Sequence, residues 1–166
     1  MYRIGHQGVN LLLFAPAFAA LALSGHAVLG LVGVVVVFST ASMPDIDIRL
    51  PLVSHRGITH TVWAAGALGV AVAIPVYYAG TAIASSVPEL AVYDPVVLGS
   101  YTGGVVAFSM LGHLVGDLLT PMGIRPFAPL GRSYSLGLWT ADSIANKALF
   151  GLGVVVLGGT AGVAFL

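Results

Sequence analysis

Seven histidine and aspartate side chains in this 166-residue sequence could bind metal ions; they are His6, Asp45, Asp47, His55, His60, His113 and Asp117. Nitrogen and oxygen ligands without sulfur suit zinc, manganese or iron better than copper(I). Seven ligands are too many for one tetrahedral zinc ion. They instead predict two divalent ions, with zinc favoured, that lie about 3.5–4 Å apart and share a carboxylate. Asp47 and Asp117 are the candidates for the bridging position.

His113 and Asp117 have the spacing that places two side chains on one face of a helix. They are four residues apart in an apolar stretch, so their side chains are neighbours along the helix surface. A carboxylate inside such a stretch costs a few kcal/mol unless it is paired or bound to a cation. The alternative is that Asp117 reaches the membrane interface and has no ligand.

Asp45 and Asp47 follow a proline at the end of another apolar stretch. Pro44 restrains the preceding residue toward extended geometry. If the chain stays extended as far as Asp47, both carboxylates point to the same side. The alternative is a polar loop where the chain leaves the membrane.

His55 and His60 are at the two ends of a six-residue segment. They can converge on one ion if Gly57 bends the chain, and Thr59 is the predicted N-cap of the next helix. Arg56, between the two histidines, could hold an anionic substrate. The alternative is a pair of interfacial histidines beside an arginine that only anchors the topology.

The composition predicts that these residues are carried by a membrane protein. Hydrophobic residues make up 58% of the chain and charged residues 7%, whereas soluble domains carry about 25% charged residues. A free soluble globule and a disordered chain are therefore both excluded. The net charge of zero gives no indication of a nucleic-acid partner, and the absence of cysteine excludes disulfides and cysteine zinc sites.

Five apolar segments predict an all-α, polytopic integral membrane helical bundle, in one domain that covers residues 1–166. The predicted spans are roughly Gly8–Leu23, Ala27–Ser42, Thr61–Ala84, Val96–Leu119 and Ala148–Leu166. The first two are short, so a hairpin that enters only half the membrane is an alternative to two full spans. A cleaved signal peptide is an alternative for the first segment, because Arg3, an apolar run and Ala20-Leu21-Ala22 fit its pattern.

The distribution of basic residues predicts the orientation. With five spans, all six Lys and Arg residues fall on one side, and the opposite loop carries Glu89 and Asp94. The positive-inside rule then places the N-terminus in the cytoplasm of a multi-pass cell-membrane protein. All seven candidate ligands share that side, so the metal site is expected to face the cytoplasm, whereas His26 falls on the other side.

Three strings in the sequence resemble motifs of one family, the YdjM-like membrane-bound metal-dependent hydrolases. Residues 43–47, MPDID, resemble that family's LPDID. Residues 55–61, HRGITHT, resemble HRGxTHS, and residues 113–123 resemble HxxxDxxTxxG. His6 corresponds to an early histidine of the family. Met43 and Thr61 depart from the usual Leu and Ser, and the stretch after Pro129 has no clear match.

The resemblance implies a membrane-bound hydrolase with a metal centre at the cytoplasmic face. The ligand order is also distantly similar to that of zinc-dependent phospholipase C, which is the basis for expecting a phosphoester or a lipid-linked substrate. Asp47, Asp117 and Arg56 are the predicted catalytic residues, and the lipid bilayer and a small-molecule or lipid-type substrate are the expected partners. A metal-ion or proton-coupled transporter is the chief alternative, and a metal-binding regulatory or structural subunit is another.

Overall fold

Five α-helices form the architecture of the protein in a computed structural model that describes residues 1–51, 54–84, 86 and 92–164. They are α1 Arg3–Leu23, α2 Ala27–Thr40, α3 Val62–Ala84, α4 Pro95–Leu118 and α5 Ala145–Ala164. Two short 3-10 helices, Pro44–Arg49 and Ile58–His60, lie between α2 and α3. The described residues contain no β-strand, so the all-α prediction is confirmed.

Each helical segment is long and apolar enough to cross a membrane. At 1.5 Å per residue, the 21 residues of α1 are about 31 Å long, which matches the hydrocarbon core of a bilayer. The 14 residues of α2 are shorter, but the candidate span runs on through the 3-10 helix to Arg49. The predicted multi-pass membrane architecture is therefore confirmed.

The helices pack as two pairs joined by α2. α1 lies against α5 and α3 lies against α4, while α2 contacts both α1 and α4. Phe14, Phe18 and Val37 are among the buried residues of the apolar core. This arrangement brings the first turn of α1 beside the last two turns of α4.

Small residues allow α3 and α4 to approach closely. A Cβ atom added at Gly69 would lie 2.8 Å from the carbonyl oxygen of Gly103, and Gly103 in turn faces Gly69 and Ala73. Lipid supplies little hydrophobic drive for helix association, so such contacts depend on close backbone packing. These close contacts fix the position of α3 along α4.

The main difference in helix bounds concerns α1. It begins at Arg3 and not at Gly8. Its polar residues His6, Gln7 and Asn10 are buried against the other helices, so the helix extends beyond the apolar run that the sequence shows. The predicted end of the last span at Leu166 and the predicted position of Glu89 lie outside the described residues.

Two local predictions were wrong. The chain after α2 is not extended but forms the 3-10 helix Pro44–Arg49, with Pro44 in its first turn. With three residues per turn, residues two apart point in different directions, so Asp45 and Asp47 do not share a side. Thr61 and not Thr59 caps α3, because its hydroxyl accepts a hydrogen bond from the N–H of Ala64 at 3.1 Å.

Candidate metal centre

All seven predicted ligands lie at one end of the helix bundle. α1 supplies His6 in its first two turns, and α4 supplies His113 and Asp117 in its last two turns. The segment between α2 and α3 supplies Asp45, Asp47, His55 and His60. His26 is at the other end, in the turn between α1 and α2, where its Nδ1 lies 2.8 Å from the hydroxyl of Tyr93.

Four of these residues converge on one point. Ligand atoms of Asp45, His60, His113 and Asp117 all lie within 4.8 Å of one another. The Nε2 atoms of His60 and His113 are 3.2 Å apart. Asp45 Oδ1 is 3.4 Å from the first of these nitrogens and 3.5 Å from the second, and Asp117 Oδ2 is 3.5 Å from each. We call these four residues the primary group.

Hydrogen bonds on the far side of each ring determine which nitrogen carries the proton. His113 Nδ1 lies 2.8 Å from the carbonyl oxygen of Ala41, which can only accept, so Nδ1 is the donor. The hydroxyl of Thr59 donates to Asp47 Oδ2 at 2.6 Å, so it can only accept from His60 Nδ1 at 3.0 Å. In the neutral imidazoles, both Nε2 atoms therefore present lone pairs to the primary group.

These lone pairs give the primary group the electronic character of a cation site. Two imidazole nitrogens and two carboxylate oxygens converge within 4.8 Å of one another, and these atom types bind divalent cations. Asp117 Oδ2 is buried without a hydrogen-bond partner. Buried polar atoms without partners are costly, so a cation would stabilise this arrangement.

A second group surrounds the carboxylate of Asp47. Its Oδ1 lies 2.9 Å from His55 Nδ1. Its Oδ2 accepts from the Thr59 hydroxyl and from the N–H of Arg56 at 3.1 Å, and it lies 3.2 Å from His60 Nδ1. Asp47, His55 and His60 could also hold an ion, but His60 would then use Nδ1 and not the Nε2 that faces the primary group.

His6 is buried beside both α4 ligands and has no hydrogen-bond partner for either ring nitrogen. Its ring stacks on His113, with centroids 3.6 Å apart, and its Nε2 is 3.5 Å from Asp117 Oδ1. Asp117 thus faces the primary group through Oδ2, while its Oδ1 faces His6 and also accepts hydrogen bonds from Arg56 at 2.7 Å and from the N-terminal ammonium of Met1 at 2.9 Å. The histidines and aspartates present therefore fit divalent cations as ligands.

Arg56 contacts this cluster and not open solvent. Its guanidinium donates to Asp117 Oδ1 at 2.7 Å and to the carbonyl oxygen of Gly123 at 2.7 Å. The backbone turn predicted at Gly57 occurs at Arg56, whose φ is 59°. A left-handed conformation is costly for a residue with a side chain, and the contacts to Asp47 and Asp117 offset that cost.

One member of the primary group reaches the surface. The side chain of Asp45 is 22% exposed, whereas those of His60 and His113 are fully buried. Asp45 also lines a cavity of about 450 Å³ between α1, the end of α2 and the 3-10 helix. Through Asp45, the cavity adjoins the primary group.

Sequence reasoning missed three contributors to this end of the molecule. Thr59 was expected to cap a helix, although it orients Asp47 and His60. Arg3 and Arg49 were used only as topological anchors, but both line the cavity beside Asp45. Only the tertiary structure brings Arg3 to this cavity, since Arg3 is far from Asp45 and Arg49 in the sequence.

A family model described as "YdjM inner membrane protein" matches residues 1–166. No curated protein and no solved structure matches the chain.

Proposed function

The chain belongs to the YdjM inner membrane protein family, and from this premise we propose that it is a metal-dependent hydrolase embedded in the membrane. Its metal centre uses the primary group, faces the cytoplasm and acts on a phosphoester or lipid-linked substrate. Zinc is the favoured ion, with manganese and iron as alternatives. His6, whose two ring nitrogens have no hydrogen-bond partner, is the candidate ligand for a second ion.

The observation that carries this proposal is the convergence of lone pairs in the primary group beside an opening. Two imidazole Nε2 atoms and two carboxylate oxygens meet at one point, and each imidazole is held by a hydrogen bond on its opposite nitrogen. Catalytic metal sites combine such oriented ligands with access for water and substrate. Structural metal sites are closed, whereas the Asp45 carboxylate of this group is 22% exposed.

A bound divalent ion supplies Lewis acidity and lowers the pKa of water toward about 7. The residues of the chain supply positioning and proton transfer. Asp45 is the partly exposed carboxylate of the group, so it can accept a proton from an incoming water. Arg56 holds Asp117 in place, and Asp47 holds the ring of His60.

The placement of charge favours this function over transport. Within the described spans, Asp, Glu, Lys, Arg and His occur only near the helix ends; α3 contains none of them. A path for ions or protons is usually lined by ionisable groups at intermediate depth. The cluster is instead confined to one end, where water and lipid headgroups are within reach.

Metal analysis and hydrolysis assays with detergent-purified protein test the proposal. We expect at least one equivalent of zinc, manganese or iron per chain. The metal-loaded protein should hydrolyse a phosphodiester, a phospholipid or a lipid-linked phosphate, and Asp45→Asn should lower the rate.

His26→Ala is the matched control, because this histidine is at the opposite end of the bundle. It should leave both metal content and hydrolysis unchanged. Folded protein that binds no divalent metal would contradict the metal centre. Metal-loaded protein that hydrolyses none of the substrates but moves a cation into liposomes would support the transporter instead.

A further inference from the structure

The cavity beside Asp45 has walls of two chemical kinds. Arg3, Arg49 and two serines form its polar side. Met43, Ile46 and Ile48 also line it, and all three have exposed side chains. A cavity with basic and apolar walls at the end of a membrane span matches a ligand that has a charged head and an apolar body.

We propose that this cavity binds the phosphate headgroup of a membrane amphiphile, with Arg3 and Arg49 holding the phosphate and the isoleucines contacting the acyl chain. The inference rests on the proposed function, because it makes this amphiphile the substrate. It assigns the recognition of the anion to these two arginines and not to Arg56.

The first argument is that the two cavity arginines are available. Neither the Arg3 nor the Arg49 side chain makes a hydrogen bond or an ion pair within the part of the chain that the structure describes. Arg56, by contrast, uses its terminal nitrogens on Asp117, Thr120 and Gly123. Guanidinium groups bind phosphate through paired, charge-assisted hydrogen bonds.

The second argument is an unsatisfied hydroxyl in the same wall. Ser42 Oγ is buried and has no hydrogen-bond partner, and Ser42 lines the cavity. A buried hydroxyl without a partner is costly, and a phosphate oxygen would accept its hydrogen bond. Arg3 and Arg49 outweigh the single charge of Asp45, so the cavity carries net positive charge.

The third argument is the position of the cavity relative to the primary group. Asp45 belongs to both, so a phosphate held by the arginines lies next to the ligands that would hold the ion. Exposed Ile46 and Ile48 lie in the same 3-10 helix, at 53% and 66% exposure, where an acyl chain could pack. The substrate class that fits is a phosphorylated lipid that enters from the bilayer.

Binding of dodecylphosphonate tests this inference without hydrolysis, because its carbon–phosphorus bond resists cleavage by a phosphoesterase. Native mass spectrometry of the metal-loaded protein, released from a neutral maltoside detergent, would measure the bound fraction. The double variant Arg3→Gln/Arg49→Gln should weaken binding by about tenfold or more, since each charge-assisted hydrogen bond contributes to affinity. Arg125→Gln/Arg132→Gln is the matched control, because it also removes two basic residues at this end but neither lines the cavity.

Each result of this experiment bears on the inference. Equal binding by wild type and the Arg3/Arg49 variant would overturn it, while metal content and hydrolysis of a soluble phosphodiester could still support the hydrolase. If inorganic phosphate displaced dodecylphosphonate at an equal concentration, the ligand would not be a lipid, because the apolar wall of the cavity would then contribute nothing to binding. Arginine-dependent binding by protein that cannot be loaded with any divalent metal would support the subsite and contradict the hydrolase.

Discussion

His60 connects the two groups of ligands through its two ring nitrogens. Its Nδ1 faces Asp47 and Thr59, and its Nε2 faces Asp45, His113 and Asp117. A carboxylate that holds the far nitrogen of a metal-binding histidine fixes its orientation and raises its basicity. Asp47 has this position in the structure, whereas the sequence predicted it as a bridging ligand and as a catalytic residue.

Removing a member of the primary group should remove metal. We expect His113→Ala or Asp117→Asn to lower bound metal, measured by inductively coupled plasma mass spectrometry, because each loses one of the converging atoms. Asp117→Asn should also weaken folding, since Arg56 loses its charged partner. His26→Ala, with its contact to Tyr93 at the other end, should retain the wild-type metal content, and an equal loss there would contradict the location of the site.

The variant Asp47→Asn tests whether Asp47 orients the ring of His60 or binds the metal ion itself. If Asp47 holds His60, the variant should bind metal about 10- to 100-fold more weakly but still fill at saturating metal. A metal titration of both proteins followed by a competing chelator would measure the difference. Failure of Asp47→Asn to bind any metal at saturation would instead make Asp47 a direct ligand, as the sequence predicts.

At the scale of the helices, the contact between α1 and α4 positions the centre. Gly116 leaves room for the ring of His6, since a Cβ atom at that position would lie 2.8 Å from His6 Nδ1. The same helix has an open position at Gly104, where an added Cβ would have no neighbour within 4 Å. The two glycines therefore form a matched pair for testing this contact.

Gly116→Ala should displace the ring of His6 from its stack on His113. Overpacking of this kind costs about 1–3 kcal/mol, so both the melting temperature in detergent and the bound metal should fall. Gly104→Ala should preserve both, because alanine favours the helix and meets no neighbour. Equal metal content in the two variants would show that the close α1–α4 contact does not position His6.

At the scale of the whole molecule, the six basic residues predict the orientation in the membrane. The chain has no cysteine, so Ser54→Cys and Ser86→Cys each introduce a single thiol at an exposed position, and these positions are at opposite ends of α3. We expect an impermeant maleimide added to intact cells to label the cysteine at position 86 only, and the one at position 54 to react only after permeabilisation. The reverse pattern would place the cluster on the outer face.

The sequence by itself determined the membrane architecture and the set of polar residues. Continuous apolar runs such as residues 62–84 predict helices because lipid leaves no other way to satisfy the backbone, and the structure confirms five of them. The i,i+4 pair His113 and Asp117 could be placed on one helix face because that relation is local.

The tertiary structure decided how these residues are divided between the two groups. Asp45 and Asp47 are two residues apart, yet the 3-10 helix turns one toward His113 and the other toward His55. Arg3 reaches the cavity of Arg49 only because α1 packs beside the end of α2. Sequence patterns describe neighbours along one element, whereas these contacts arise from helix packing and from hydrogen bonds between distant segments, which no local periodicity encodes.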